Sequence, residues 1–278
     1  MSTFLLKHPV DISLLTNGFH IQTAFHKLVY SLPGGILQHG ESREIKVLID
    51  GEELSSKLYN IGFDQTKHPG HPDLLQVRYS PNSPIAKKLQ AIFADDYQYL
   101  LAARESIGPR IQIQLPKHNH DEIVFYGTSM PDVFILDCIL SDDQEQVSDE
   151  IHQMDELDFE TFEPREDKNA GFKEVTRLQK VRHLDRSIGD SLKLLYDYRC
   201  QMTGERIGDN YDALVVEAHH IIPFTESMDN DTSNIIILSP SYHRIIHKVK
   251  PRWDRKDLSF RFPNVLTEKV KLNKHLNI

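Results

Sequence analysis

VVEAHHIIPFTESMDNDTSNIIILSPSYHRIIHK, residues 215–248, parses into a strand, a loop, a second strand and a helix. Leu214 to Ile222 is β-rich, Phe224 to Ser233 is a polar loop, and Asn234 to Leu238 is an apolar run that closes a hairpin. Ser239 is a suitable helix cap and Pro240 is tolerated at the first helical position, where its missing N–H has no partner to lose; Pro251 marks the end. On that helix His243 and His247 are four residues apart, so both imidazoles project from one face and can meet one ion. One such pair is weak evidence, since structural histidines are commoner. The adjacent pair His219 and His220 one hairpin upstream, with Asn234 at the start of the second strand, makes a constellation.

Upstream, Leu178, Val181, Leu184, Ile188, Leu192 and Leu195 recur at steps of three and four, which predicts an amphipathic helix over Thr176 to Tyr198 despite Gly189. Its other face carries Arg177, Lys180, Arg182 and Arg186.

The run HHIIP…SNIIIL…YHRIIH resembles the HNH (ββα-metal) endonuclease family, in which an acidic or His residue is followed by His, then Asn, then a helix bearing His. The lead-in YRCQMTG, Tyr198 to Gly204, is similar to the start of this domain in restriction-type members. The resemblance covers some 50 to 75 residues of the C-terminal side. It implies that His219, His243 and His247 are ligands of one divalent metal ion. His220 becomes the general base that deprotonates the attacking water, and Asn234 orients His220 through its side-chain amide and ties the loop to the strand. Neutral imidazole can do such base chemistry near pH 7. In phosphodiester hydrolysis negative charge builds on the equatorial and departing oxygens, and a divalent ion offsets both. Arg244, Arg186 and Arg182 are the candidate contacts to the DNA backbone, although exposed arginines are more often merely solvated.

The chain departs from the restriction-type pattern in its cysteines. Cys200 is followed by Thr203 where a CxxC pair would continue, and Ser239 and Tyr242 stand where a second pair would be. A structural zinc is therefore expected to be absent, leaving packing and the preceding helix to hold the hairpin. For the catalytic ion, imidazole ligands favour Ni2+ or Zn2+, whereas abundance and phosphate chemistry favour Mg2+ or Mn2+; Mg2+ ranks first.

The net charge of −9 looks wrong for a DNA-cutting protein until it is divided along the chain. Residues 142–167 hold twelve acids against one Arg, residues 168–278 hold nineteen Lys or Arg against fourteen acids, and residues 1–141 hold twelve against fifteen. The basic excess lies with the histidines. The acidic stretch predicts a linker over 142–170 between a strand-rich domain, 1–141, and the nuclease domain, 171–278. The expected class is thus α+β, a strand-rich N-terminal domain followed by a ββα-metal HNH domain.

In the N-terminal domain, strands are expected at Glu44 to Ile49 and Leu54 to Ile61 around an Asp50-Gly51 turn, at Leu74 to Tyr79, Arg110 to Leu115 and Glu122 to Tyr126, and at Val133 to Leu140. A helix is expected from the Ser83-Pro84 start. The loop His68 to Pro72 could contact a ligand, but no third ligand lies near His68 and His71. No stretch reaches a membrane span and the N-terminus lacks signal-peptide character, so a cytoplasmic, prokaryotic protein is expected.

Three roles stay open. One is a restriction-type enzyme whose first domain reads double-stranded DNA through residues such as Lys46, Lys57, Arg78, Lys87, Lys88, Gln112 and Gln114. That reading implies a homodimer, since one HNH centre cuts one strand. The second is a sensor-effector nuclease released by a ligand or partner, and the third a noncatalytic DNA-binding protein.

Overall fold

The computed structural model describes residues 3–62, 67, 70, 72–107, 113–116, 119–141, 148, 151–152, 156 and 174–276, the side chains of 174–183 excepted. The chain is α+β and forms two compact units, Met1–Gln144 and Glu145–Ile278.

Along the first unit run β1 (Thr3–Pro9), α1 (Ile12–Thr16), β2 (Gly18–His20), α2 (His26–Ser31), β3 (Ser42–Ile49) and β4 (Glu52–Asn60). They are followed by β5 (Leu75–Arg78), α3 (Pro84–Ile92), α4 (Ala94–Ile107), β6 (Glu122–Gly127) and β7 (Val133–Ile139). One seven-stranded sheet in the order β1-β6-β7-β3-β4-β5-β2 joins the strands. Among the described residues β3 and β7 pair in parallel and the other neighbours are antiparallel.

The β3–β4 hairpin shows how sequence dictates this sheet. Asp50 and Gly51 have φ of 50° and 79°, the two left-handed residues that a tight hairpin turn matched to strand twist requires. Period-two alternation then buries Ile45, Val47 and Ile49 with Leu54 and Leu58, while Lys46 and Lys57 face solvent. Those lysines are engaged across strands: Lys46 with Glu53 at 2.7 Å and Lys57 with Glu44 at 3.2 Å, while Lys88 of α3 reaches Glu52 at 2.9 Å.

Five elements of this unit escape the sequence reading: β1, α1, β2, α2 and α4. α4 has no consistent apolar face, and β1 is a short run among polar residues. The strand expected at Arg110 to Leu115 lies partly outside the described residues, and its described part, Ile113 to Leu115, forms no strand. His68 and His71 also lie outside them, as does Gln112. At the start of α4, Asp96 is buried and accepts a hydrogen bond from Asn119 Nδ2 at 2.6 Å. Burial and the neighbouring charge of Asp121 push its carboxyl up to about 6.

The second unit contains α5 (Glu174–Leu195), β8 (Glu217–His220), α6 (Phe224–Ser227), β9 (Ile235–Leu238) and α7 (Pro240–Val249). A three-stranded antiparallel sheet follows, β10 (Arg252–Asp254), β11 (Ser259–Arg261) and β12 (Thr267–Lys269). α5 begins two residues before and ends three residues before the predicted helix, and α6 forms inside the stretch read as loop. Of the acidic stretch 142–170, most lies outside the described residues; Ile151 and Glu156 are buried in this unit, unlike residues of a solvated spacer.

Gly189 is what lets α5 lie against β8. A Cβ built at this position would stand 2.9 Å from Ala218 Cβ, so only glycine allows the helix backbone so near the strand. Behind β9, Cys200, Met202, Ile236, Leu238, Ile246 and Phe260 form a buried cluster. Gln201, fully buried, stitches the knuckle: its N–H donates to Ile237 O at 2.8 Å, its Oε1 accepts from Ile237 N at 2.7 Å, and its Nε2 donates to Leu272 O at 3.0 Å. His275 supports the same strand from the C-terminal segment, with Nε2 2.9 Å from Ile235 O and Nδ1 2.6 Å from the Tyr196 hydroxyl. These bonds and that cluster hold the hairpin.

Candidate metal centre

β8 and β9 pair antiparallel with His219 opposite Ile236 and His220 opposite Ile235. Successive residues of a strand point to opposite faces, so the two histidines serve different neighbours. The loop between the strands is closed by Asn234, whose Oδ1 accepts from Ile222 N at 2.9 Å and whose Nδ2 donates to Ile222 O and Asp229 O, each at 2.9 Å. The Ser239 hydroxyl caps α7 by accepting from Tyr242 N at 3.3 Å, and Pro240 occupies the first turn. Lys250, at φ 48°, ends the helix before Pro251.

This arrangement brings His219, His243 and His247 together, with one ligand nitrogen from each lying within 4.8 Å of the others. Ring centroids are 5.1 Å apart for His219 and His243, 4.7 Å for His219 and His247, and 4.5 Å for His243 and His247. The Nε2 atoms of His243 and His247 approach to 3.2 Å, a spacing that suits two nitrogens sharing one ion at about 2 Å each. Glu217 Oε2 lies 2.8 Å from His243 Nδ1, so the carboxylate fixes that ring with Nε2 turned inward. Burial, then the nearby rings of His243, His247 and His220, hold His219 well below the ordinary imidazole range and keep it in the neutral, ligating form. A set of three convergent imidazoles, one neutral by environment and one aimed by a carboxylate, fits a divalent cation.

His220 is buried on the other side of the strand. Its Nδ1 lies 3.0 Å from Glu156 Oε1, and its Nε2 lies 3.1 Å from Asp185 Oδ1 and 3.2 Å from Asn230 Oδ1. Burial opposes charge on this ring, but the two carboxylates outweigh it and hold the imidazole well above its ordinary range. In this arrangement His220 is a cation. Glu156 also accepts the backbone N–H groups of Phe224 at 3.0 Å and Thr225 at 2.9 Å, anchoring the start of α6. Burial alone would raise the Glu156 carboxyl; the His220 and backbone bonds instead draw it down to about 2.

One sequence-based role needs correction. The Asn234 amide spends its bonds on the backbone of Ile222 and Asp229 and ties the loop to the strand, while the side-chain amide that meets His220 is that of Asn230. Arg186 and Arg244 are exposed and line the same open cleft, about 1200 Å³ in volume, as the four histidines. The side chain of Arg182 lies outside the described residues. Of the groups the sequence reading missed, Glu217 had a signal, since it stands two residues before His219 on the same strand face. Asp185 sits beside Leu184 on the helix, and Asn230 and Glu156 lie in polar runs that single out neither.

Residues 200–261 match the profile of a family described as HNH endonuclease, a segment that holds the hairpin, all four histidines and α7. Comparison with curated proteins finds no match, nor does comparison with solved structures.

Proposed function

Since residues 200–261 are an HNH endonuclease domain, we propose that the chain is a metal-dependent deoxyribonuclease that hydrolyses phosphodiester bonds of double-stranded DNA. The observation that carries this reading is the convergence of His219, His243 and His247 beside a His220 held between carboxylates. A divalent cation on the three imidazoles would offset the charge that builds on the phosphoryl and departing oxygens.

The protein's own groups do the rest. Glu217 presents His243, and burial keeps His219 neutral. His220 is the general base, its Nδ1–H held by Glu156 so that Nε2 serves the attacking water. Water activation takes the neutral ring, so the Nε2 proton first passes to the Asp185 carboxylate 3.1 Å away and from it to solvent in the cleft that Asp185 lines. Arg186 and Arg244 meet the DNA backbone at the cleft, and Asn234 positions the loop. Mg2+ is proposed on availability, against a donor set that ranks Ni2+ and Zn2+ higher.

The proposed role is restriction, with the first unit reading DNA and a homodimer making the double-strand break. A specific observation supports the sensor-effector alternative: Lys46, Lys57 and Lys88, offered as readers, are paired with Glu53, Glu44 and Glu52. Digestion of methylated and unmethylated plasmid with Mg2+, Mn2+, Ni2+ and Zn2+ in parallel tests both. Discrete fragments support restriction; inertness without an activator, or smearing, supports the effector. His220→Ala and His247→Ala should each abolish nicking while DNA binding persists, and nicking retained in both sinks the nuclease assignment.

A further inference from the structure

The sheet β10–β12 extends beyond the hairpin and helix that hold the histidines, and its two faces differ in kind. Trp253, Phe260 and Glu268 lie opposite one another in register and share one face. That face is packed: Trp253 and Phe260 rings stand 4.7 Å apart, Phe260 is buried in the cluster with Ile246, and Tyr242 of α7 donates to Glu268 at 2.8 Å. The sheet is thereby fixed to the helix that carries His243 and His247.

The other face presents the exposed side chains of Arg252, Arg261 and Lys269 around a buried Ser259. Between residues 248 and 274 nine Lys or Arg stand against three acids, and of these Arg252, Arg261 and Lys269 lie on this strand face together with Asp254. Arg252 lies directly opposite Arg261 across β10 and β11, and Lys269 follows on β12. Arg261 Nη2 pairs with Asp254 Oδ2 at 2.5 Å on the same face and lies 3.7 Å from Asp257, so their opposition is partly offset within the sheet, and Arg252 and Lys269 carry exposed positive charge beside it. Lys248 and Lys250 line the cleft of the histidines together with Phe260, so positive charge continues from the cleft to the sheet. Arg255 Nη2 donates to Ser233 Oγ at 3.3 Å, beside Asn234 in the loop that closes the hairpin.

We propose that the outer face of β10–β12, with the exposed Arg255 and Lys256 of the β10–β11 turn, is a docking surface for the phosphate backbone of duplex DNA flanking the cleavage site. The proposal rests on the nuclease reading for its choice of polyanion. Its geometry is that of a rigid basic platform locked to the catalytic helix, so contacts made on it set where along the duplex the histidines act.

The test uses the full-length protein, a fluorescent duplex and EDTA, comparing the parent with the triple variant Arg252→Gln, Lys256→Gln, Lys269→Gln over a salt series. Each phosphate contact contributes about 0.9 to the slope of log affinity against log salt, so the slope should flatten by about two to three and low-salt affinity should fall roughly ten-fold or more. The charge-preserving set Arg252→Lys, Lys256→Arg, Lys269→Arg should keep the parental slope, and matched thermal unfolding shows that each variant folds. An unchanged slope in the Gln variant, or a parent that does not bind duplex, overturns the proposal. Loss of heparin binding with duplex binding intact overturns the assignment to DNA. Cleavage at saturating DNA separates the two readings. A parent that binds with the expected charge dependence but never nicks leaves the surface standing and the nuclease reading fallen; a nicking parent whose Gln variant binds unchanged does the reverse.

Discussion

Glu156 holds Nδ1 of His220 at 3.0 Å while its two oxygens also accept the N–H groups of Phe224 and Thr225, so one carboxylate from the acidic stretch fixes both a candidate catalytic ring and the start of α6. Glutamine cannot replace it, because its amide end brings a donor to where an N–H already points. Breaking a buried pair of this kind costs about 3 kcal/mol, so Glu156→Gln should unfold at markedly lower urea and lose DNA cleavage.

The same residue sets an acid limb of stability. The folded carboxyl titrates at about 2 against an ordinary 4.5, so its contribution is complete above pH 4.5 and is lost as the pH falls toward 2. Urea unfolding from pH 6 to pH 2 should show a loss of stability in that window that is smaller in Glu156→Gln. Parallel curves for the two proteins would mean that the carboxylate is not held as described.

How much of this was legible beforehand differs by element. The hairpin, α7 and the three converging histidines follow from local rules: period-two burial, a Ser-Pro helix start and the four-residue spacing of His243 and His247. The partners of His220 were hidden because they come from elsewhere in the chain. Glu156 sits among eleven other acids in residues 142–167, and nothing in composition separates one buried carboxylate from solvated neighbours. Asn230 and Asn234 lie in one loop with the same side-chain chemistry, and only the path of the backbone decides which amide reaches the ring. The sheet β10–β12 was missed because its strands are three residues each, too short for any period to declare itself.

In the first unit the sign of pH dependence is reversed. Asp96 titrates at about 6 in the folded protein against an ordinary 3.8, so its protonated form stabilises at low pH and that contribution is lost as the pH rises through 6. Asp96→Asn keeps an acceptor for Asn119 and removes the charge facing Asp121. It should raise stability at pH 8 by roughly 2 kcal/mol while changing little at pH 4. Equal stability of the two proteins at pH 8 would count against a charged, buried Asp96.

Gly189 sets helix propensity against packing. Alanine is favoured over glycine within a helix by about 1 kcal/mol, but its Cβ would stand 2.9 Å from Ala218 Cβ, an atom that moves only if β8 moves. Overpacking of this kind costs about 1 to 3 kcal/mol, so packing wins and Gly189→Ala should lower the melting temperature. His219 follows Ala218 directly, so cleavage should fall as well. The double variant Gly189→Ala, Ala218→Gly removes the clash and should recover much of both losses; a stabilised single variant would show that the helix stands farther from the strand.

Val265 carries strain that nothing nearby repays. It has φ of 63° at the turn between β11 and β12, and it is 93% exposed. Its N–H donates to Phe262 O at 3.0 Å and Phe262 N–H donates to Leu266 O at 2.8 Å, the pattern of a three-residue hairpin loop whose last position favours glycine. A left-handed β-branched residue costs about 1 to 2 kcal/mol, and an exposed side chain recovers little of that by burial. Val265→Gly should therefore stabilise the second unit by about 1 kcal/mol, read from urea unfolding, with its gain in unfolded-chain entropy setting the lower end. Because the turn lies at the end of the basic sheet, the same variant should leave the salt dependence of DNA binding unchanged. A destabilised variant would mean that the turn relies on the valine side chain, and a changed slope would mean that the loop shapes the basic face.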